Sequence, residues 1–340
     1  MASRDGNGWV RCALGHRHWG RFGAAGLLAY VPDGPVLSQR RTWWSHHGGT
    51  WGLPGGARDS HESAIAAALR EAAEECGVPA DAARPTGIFT DDHGGWSYTT
   101  VLAQATAPFA VQSDDDETDE VAWVSVPDVT KLELHPGFAA YWPQLRTELS
   151  PLTIIVDGAN VVGSRPDGWW RDRAGAAIRL RDQLVPLARD GITSLPGGPG
   201  LRETLAGPVP VAATESAAAG DAAGVFTTGP AGAAPAAGTG SVAGTGSAAG
   251  GESPAVWMRW LPEVVLVVEG AARPAADNDG ASWAGLRVVA APGSGDDTIA
   301  AQAAGTSGRR IVVTADRELR QRCLSAGADV AGPGWLLGML

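Results

Sequence analysis

The sequence predicts an α/β fold in both of its halves, and three observations carry that prediction. Residues 22–124 hold short runs of apolar and polar alternation around a single amphipathic helical stretch. Residues 152–313 hold four short apolar runs that each deliver an acid at or within a few residues after their ends, the profile of buried parallel strands with polar groups at their C-terminal ends. Inside that second stretch, from about residue 195 to 253, the composition collapses to Gly, Ala, Pro, Thr and Ser. At 340 residues the chain exceeds one ordinary domain, and its 44% hydrophobic content suffices for two cores. A boundary is expected near Ser150 and Pro151, giving domains over 1–150 and 151–340.

Charge and cysteine usage narrow the function classes. The formal net charge of -11 argues against wholesale coating of nucleic acid or of an anionic membrane, while leaving room for a local basic site. Cys12, Cys76 and Cys323 lie far apart without a C-x-x-C pair, so neither a disulfide framework nor a zinc ribbon is expected. A reduced cytoplasm fits that usage. Cys12, His16 and His18 look like metal ligands, but no fourth ligand is near them in sequence, which favours a partly buried structural cluster. The first residues lack the apolar core of a signal peptide, and no run of about 18 apolar residues occurs, so a soluble chain without a membrane partner is expected.

In chain order, Phe22 to Tyr30 and Gly34 to Arg40 read as strands joined by the turn Pro32-Asp33-Gly34. Thr42 to Trp51 is a loop with three tryptophans and two histidines, followed directly by Gly52-Leu53-Pro54-Gly55-Gly56. Trp43 or Trp44 could stack a base there, or the tryptophans could pack the loop onto the domain. Next comes a helix expected from about Ser60 to Cys76, N-capped by Asp59 or Ser60, with Glu62 completing something like a capping box and Gly77 as the C-cap. At 3.6 residues per turn, Ile65, Leu69, Ala72 and Cys76 form an apolar stripe, and Glu71, Glu74 and Glu75 share an arc of about 100° on the other side. Such a face is commonly only solvated. Oxygen ligands at this density also suit hard cations, Mg2+ or Mn2+, that bridge to substrate phosphates.

The stretch from Gly56 to Val78 reads G-x5-E-x7-R-E-A-x-E-E-x-G-V. It resembles the Nudix box at every defining position, and the resemblance extends over about the first 150 residues. It implies an α/β/α sandwich with a mixed sheet. It also implies that Glu71, Glu74 and Glu75 hold Mg2+ or Mn2+ or activate water, with the Gly55 carbonyl as a further ligand, Arg70 orienting them and Glu62 supporting.

After the helix, Pro85 to Thr90 and Trp96 to Ala103 alternate as strands on either side of Asp91-Asp92-His93-Gly94-Gly95. The acidic run Asp114 to Glu120 reads mainly as a solvated loop leading into the strand Val121 to Val124. Nudix proteins often place one more glutamate before this strand, and both Glu117 and Glu120 qualify. His135 to Arg146 closes the half as a helix packed by Phe138, Trp142 and Leu145.

In the second half, Leu152 to Val156 ends in Asp157, Leu261 to Val268 ends in Glu269, Leu286 to Ala290 leads to Asp296-Asp297, and Arg310 to Val313 leads to Asp316. Helices are expected over Thr298 to Ala304 and Glu318 to Ala326. Parallel strands deliver their C-terminal ends to one sheet edge, where active sites form. Taken singly, Asp297 and Asp316 also suit helix N-caps. Residues 151–195 and 256–340 resemble a NYN domain of the PIN-like nuclease group through V-D-G-A-N, G-D-D-T-I and T-A-D-R-E-L. That resemblance implies that Asp157, Asp296 and Asp316 bind Mg2+ or Mn2+, with Asp157 and Asp316 catalytic and Asn160 and Asp297 supporting. Glu269 departs from it, because aspartate is commoner there. Arginines 165, 171, 173, 179, 181 and 189 with Trp169 and Trp170 form either a local RNA-binding surface or a solvated helix. The low-complexity stretch at about 196–253 cannot bury a core and reads as a disordered insertion without catalytic residues.

Together these readings describe a metal-dependent hydrolase of a nucleoside diphosphate linked to another moiety, joined to a metal-dependent ribonuclease. Two alternatives stand beside them: a Nudix fold that senses nucleotides or RNA ends and regulates the nuclease, and a second half that binds RNA without cutting it. Intact Glu71, Glu74 and Glu75 favour catalysis. The substrate depends on loops outside the box, and composition leaves the oligomeric state open.

Overall fold

A computed structural model describes residues 4–45, 47–113, 117–197, 255–277 and 285–340. The insertion expected at 196–253 therefore lies almost wholly outside the described residues, as do residues 114–116 of the acidic run.

The chain opens with a small antiparallel hairpin, β1 (Trp9–Arg11) and β2 (Arg17–Trp19). The first large sheet follows: β3 (Ala24–Tyr30), β4 (Pro35–Arg41), β5 (Trp51–Gly52), β6 (Gly55–Ala57), β7 (Ala83–Asp92), β8 (Ser97–Ala105) and β9 (Thr118–Ser125). It is mixed, because β3 runs parallel to β8 while its other pairings are antiparallel. The expected strands are all present; β7 and β9 extend one to three residues beyond the apolar alternation at each end, while β3 begins two residues, and β4 and β8 one residue, later than expected.

Helix α1 (Ala64–Cys76) starts later than its sequence suggests. Ser63 is its N-cap, its hydroxyl accepting the Ala66 N–H at 3.1 Å. Asp59 and Ser60, expected in that role, are engaged with the N-terminal segment instead: Asp59 accepts the Gly6 N–H at 2.7 Å and Ser60 donates to Asp5. Gly77 closes the helix at φ 64, a left-handed conformation that favours glycine. The face turned to the sheet is made by Ala67, Ala68, Ala72 and Cys76, while Ile65 and Leu69 are only partly buried at its margin. Small alanines let the helix sit close to β3.

Two short helices follow, α2 (Val126–Val129) and α3 (Pro136–Leu145); α3 buries Phe138, Trp142 and Leu145 as expected.

The second half begins at once with β10 (Leu152–Asp157), every residue of which is buried. Then come α4 (Gly158–Gly163), α5 (Arg173–Asp190), β11 (Ala255–Trp260), β12 (Glu263–Val268), β13 (Leu286–Ala290), α6 (Gly295–Gly305), β14 (Arg309–Val313), α7 (Arg317–Ser325), β15 (Asp329–Ala331) and α8 (Pro333–Leu337). Strands in the order β13-β12-β10-β14-β15 form a wholly parallel sheet with β10 at its centre. The terminal β15 and α8 have no counterpart in the sequence reading.

Strand β11 crosses the expected boundary. It lies after residue 150, yet it pairs antiparallel with β7 at the edge of the first sheet, Met258 opposite Phe89. One apolar cluster accordingly contains Leu28, Phe89, Trp142 and Leu145 from the first half and Ile154, Met258, Trp260 and Val264 from the second. No helix among the described residues is long and apolar enough to cross a membrane.

Candidate active site

Strand β6 carries the glycines that precede α1. It lies against β3 with Gly26 opposite Gly55, and a Cβ on Gly55 would stand 2.5 Å from the Gly26 Cα. A Cβ on Gly56 would stand 2.7 Å from the Glu71 carboxylate. Glycine at both positions therefore lets the helix and its acids close onto the strand.

Arg70 organises those acids. Its Nε and Nη2 donate to the two Glu62 oxygens at 2.7 and 2.9 Å, its Nη1 donates to Glu71 at 2.7 Å and to Glu74 at 3.2 Å, and Nη2 also reaches the Ala57 carbonyl at 3.1 Å. The bidentate pairing holds the Glu62 carboxyl below the usual carboxylate range. Glu71 goes the other way: burial raises it, against the opposing pull of Arg70. Glu74 is more exposed and also pairs with Arg4. Glu75 is buried, accepting the Gly55 N–H at 2.8 Å and the Gln39 amide at 3.1 Å.

Gln39, fully buried on β4, is a member of the site that sequence reasoning missed. It also accepts from the Cys76 thiol at 3.1 Å. The available signal was the strand alternation, which puts Gln39 on the same face of β4 as the apolar Leu37. Glu120 points to Arg40 at 3.7 Å, while Glu117 precedes β9 with its carbonyl accepting the Thr42 N–H. Trp43 and Trp44 are 81% and 55% exposed, so they do not pack the loop onto the domain.

The second set of acids gathers where the parallel strands end. Asp157 is buried and is the N-cap of α4, accepting from the Asn160 N–H at 3.0 Å, the Asn160 amide at 2.7 Å and the Thr314 hydroxyl at 2.8 Å. Burial raises its pKa despite these donors, and Glu269 adds to the rise. Asp296 is raised by burial and by Asp157, Asp316 and Glu269 together, so these four carboxylates share one electrostatic neighbourhood. Two more have structural jobs as well: Glu269 accepts the Gly295 N–H at 2.6 Å, and Asp316 caps α7 through Leu319 N–H at 2.7 Å. Asp297, expected to support this group, faces away to Arg322 at 2.8 Å. Asp296 and Asp297 both lie within the first turn of α6 instead of preceding it.

The arginine-rich surface is less basic than its sequence suggests. Arg179, Arg181 and Arg189 pair with Asp172, Asp182 and Asp190, and Arg165 bonds Gln183. Arg173 remains against the Trp169 ring at 5.6 Å. Beside Gly158 and Glu269, a cleft of about 360 Å³ carries Trp169, Arg173 and Arg273.

Among the described residues, two groups bring three or more ligand atoms all within 4.8 Å of one another: Asp5, Asp59 and His61, and Cys12, His16, His18 and His93. The glutamates of α1 are instead arranged around Arg70.

Residues 20–145 match the NUDIX domain. A Mycobacterium tuberculosis protein named "Putative 8-oxo-dGTP diphosphatase 3" is 48% identical over 160 residues, covering 44% of this chain and 72% of that protein. A Bifidobacterium longum "Nucleoside triphosphate pyrophosphatase/Nudix hydrolase fusion protein" is 40% identical over 157 residues, covering 44% of this chain and 33% of that one. A solved Nudix hydrolase from M. smegmatis, RenU, shares 48% identity with a TM-score of 0.40, covering 42% of this chain and 94% of that one. A complete box on the glycine strand and α1, together with this identity over most of the mycobacterial protein, means that the chain belongs to the Nudix family of phosphoanhydride hydrolases.

Proposed function

We propose that the site on α1 hydrolyses a nucleoside diphosphate linked to another moiety, with Glu71, Glu74, Glu75 and the Gly55 carbonyl holding Mg2+ or Mn2+. The observation that carries this reading is Arg70, which gathers Glu62, Glu71 and Glu74 opposite a strand whose glycines leave room for the carboxylates. An all-oxygen donor set with two largely buried acids fits a hard divalent cation. When bound, such a cation offsets phosphate charge and favours attack by water on phosphorus. Arg70 orients Glu71 and Glu74, Gln39 and the Gly55 N–H orient Glu75, and Glu62 fixes the Arg70 guanidinium. In this reading residues 1–150 are the hydrolase domain, and 151–340 form a second domain that lends β11 to its sheet.

The substrate class rests on the box, and the mycobacterial relative's name adds oxidised deoxyguanosine triphosphate to the candidates. A screen of nucleoside di- and triphosphate derivatives with Mg2+ or Mn2+ tests the reading. Glu74→Gln and Glu75→Gln should each lower turnover at least about 100-fold. Unchanged turnover in both moves the active site elsewhere, and tight binding without turnover in the wild type favours a nucleotide sensor.

A second activity, metal-dependent ribonuclease action of PIN-like type in 151–340, is supported by Asp157, Glu269, Asp296 and Asp316 sharing one sheet edge beside the cleft with Trp169 and two arginines. It is tested by Mn2+-dependent cleavage of single-stranded RNA, which Asp316→Asn should abolish while Nudix turnover persists. RNA that binds uncut favours the non-catalytic alternative.

A further inference from the structure

The N-terminal hairpin holds the most concentrated set of soft and borderline ligands in the described protein. Cys12, His16 and His18 sit on the turn and second strand of that hairpin, and His93 arrives from the turn between β7 and β8. One ligand atom from each lies within 4.8 Å of all the others. Sequence spacing offered three ligands and no fourth; the fold supplies it.

The nitrogens make ordinary packing a poor account of this cluster. His16 Nδ1, His18 Nε2 and His93 Nδ1 are buried atoms without a hydrogen-bond partner. An unsatisfied buried polar group costs about 1–3 kcal/mol, so three converging on one point call for a common partner. Cys12 is 6% exposed and is not in a disulfide, which adds a sulfur ligand to the same place. The rings are held for the task. His93 keeps its Nε2 on the Asp91 carboxylate at 3.1 Å, which leaves Nδ1 as its unpartnered nitrogen, and a carboxylate on one ring nitrogen sets the tautomer of a metal-binding imidazole. His18 stacks on Trp96 at 3.9 Å and 7°, and Trp96 donates to the Trp19 carbonyl at 3.1 Å. The Ala13 N–H donates to the Gly94 carbonyl at 2.7 Å, so the two ligand-bearing turns are already bonded through the backbone.

We propose that Cys12, His16, His18 and His93 form a structural zinc site that staples the N-terminal hairpin to the β7–β8 turn. One thiolate and three neutral imidazoles are a donor set for a borderline divalent ion, in contrast to the all-oxygen set on α1. Four protein ligands leave no position open for water, which makes the site structural and not catalytic. Tetrahedral zinc places its ligand atoms about 3.3–3.8 Å apart, so the present group needs to contract by about 1.5 Å or less. The staple also tethers the segment that carries Arg4, whose guanidinium pairs with Glu74 on α1.

The test uses the full chain, purified without a histidine tag. Metal analysis after dialysis should find about one equivalent of zinc, the content of one closed site. After stripping and reloading with Co2+, a thiolate-to-cobalt charge-transfer absorption should appear in the near ultraviolet, to which cobalt on the α1 glutamates contributes nothing. That absorption should vanish in Cys12→Ser, weaken in His93→Ala and persist in Cys323→Ser, whose cysteine is buried in the other half. Wild-type protein that neither retains zinc nor shows the absorption overturns the proposal without reference to how any variant folds. An absorption that survives Cys12→Ser overturns it too, by assigning the thiolate elsewhere.

Discussion

The Trp260 indole Nε1 donates to the Glu148 carboxylate at 2.8 Å, joining residues 112 apart in sequence. Trp260 is buried at the end of β11, also exchanges backbone hydrogen bonds with Ile192, and packs in the cluster that both halves share. Trp260→Ala should cost about 3–5 kcal/mol in urea-induced unfolding, as large core truncations do. A chain ended at residue 150 should be less stable still, because it loses β11 and the apolar residues of β10 and β12 that cover the same core. A truncated protein that unfolds at the wild-type urea midpoint would show the halves to be independent.

Glu62 predicts a pH dependence of stability. Its carboxyl is held below the usual range by Arg70, so its ionised form favours the folded state. That contribution is present at pH above the ordinary carboxylate value and is lost as pH falls through the depressed one. Glu62→Gln should therefore destabilise the protein by about 1–2 kcal/mol at pH 7, the scale of a charge-assisted hydrogen bond, and the difference from wild type should shrink in acid. Thermal melts between neutral and acidic pH would check the sign; a gap that widens toward acid contradicts it.

Gly56→Ala separates geometry from stability. The added Cβ meets the Glu71 carboxylate at 2.7 Å, the flexible end of a side chain, and Gly56 does not need a left-handed backbone. The melting temperature should change little, while displacement of Glu71 should lower turnover about 10-fold or more. A fully active variant would mean that the Glu71 position is not critical.

Asp296 carries a charge that its neighbours Asp157, Asp316 and Glu269 disfavour, in addition to its burial. Asp296→Asn should raise the melting temperature slightly in chelator and reduce the stabilisation that Mn2+ confers on this half. The decisive comparison is the Mn2+-induced shift in the two proteins at one ionic strength. Equal shifts would remove Asp296 from metal binding.

How far the sequence could be read depended on how local each interaction is. The position of α1, its C-cap at Gly77 and the sharing of one face by Glu71, Glu74 and Glu75 follow from helical periodicity over a few turns. Its start was misread because Asp59 and Ser60 bond residues 5 and 6, which no local rule ties to them. The acids at the ends of the parallel strands were legible because each apolar run is followed at once or within a few residues by one; the pairing of Asp297 with Arg322 was not, since it depends on how α6 and α7 pack.

The sequence alone determined the box, the helix that carries it, the acidic strand ends and the α/β character of both halves, because these are set by residue type at short spacing. Tertiary structure alone decided that β11 completes the first sheet, that Gln39 supports Glu75, and that His93 meets Cys12, His16 and His18. Each of these joins segments far apart in the chain, and such partners are selected by which apolar faces and unpaired backbone groups remain to be buried once the local elements exist.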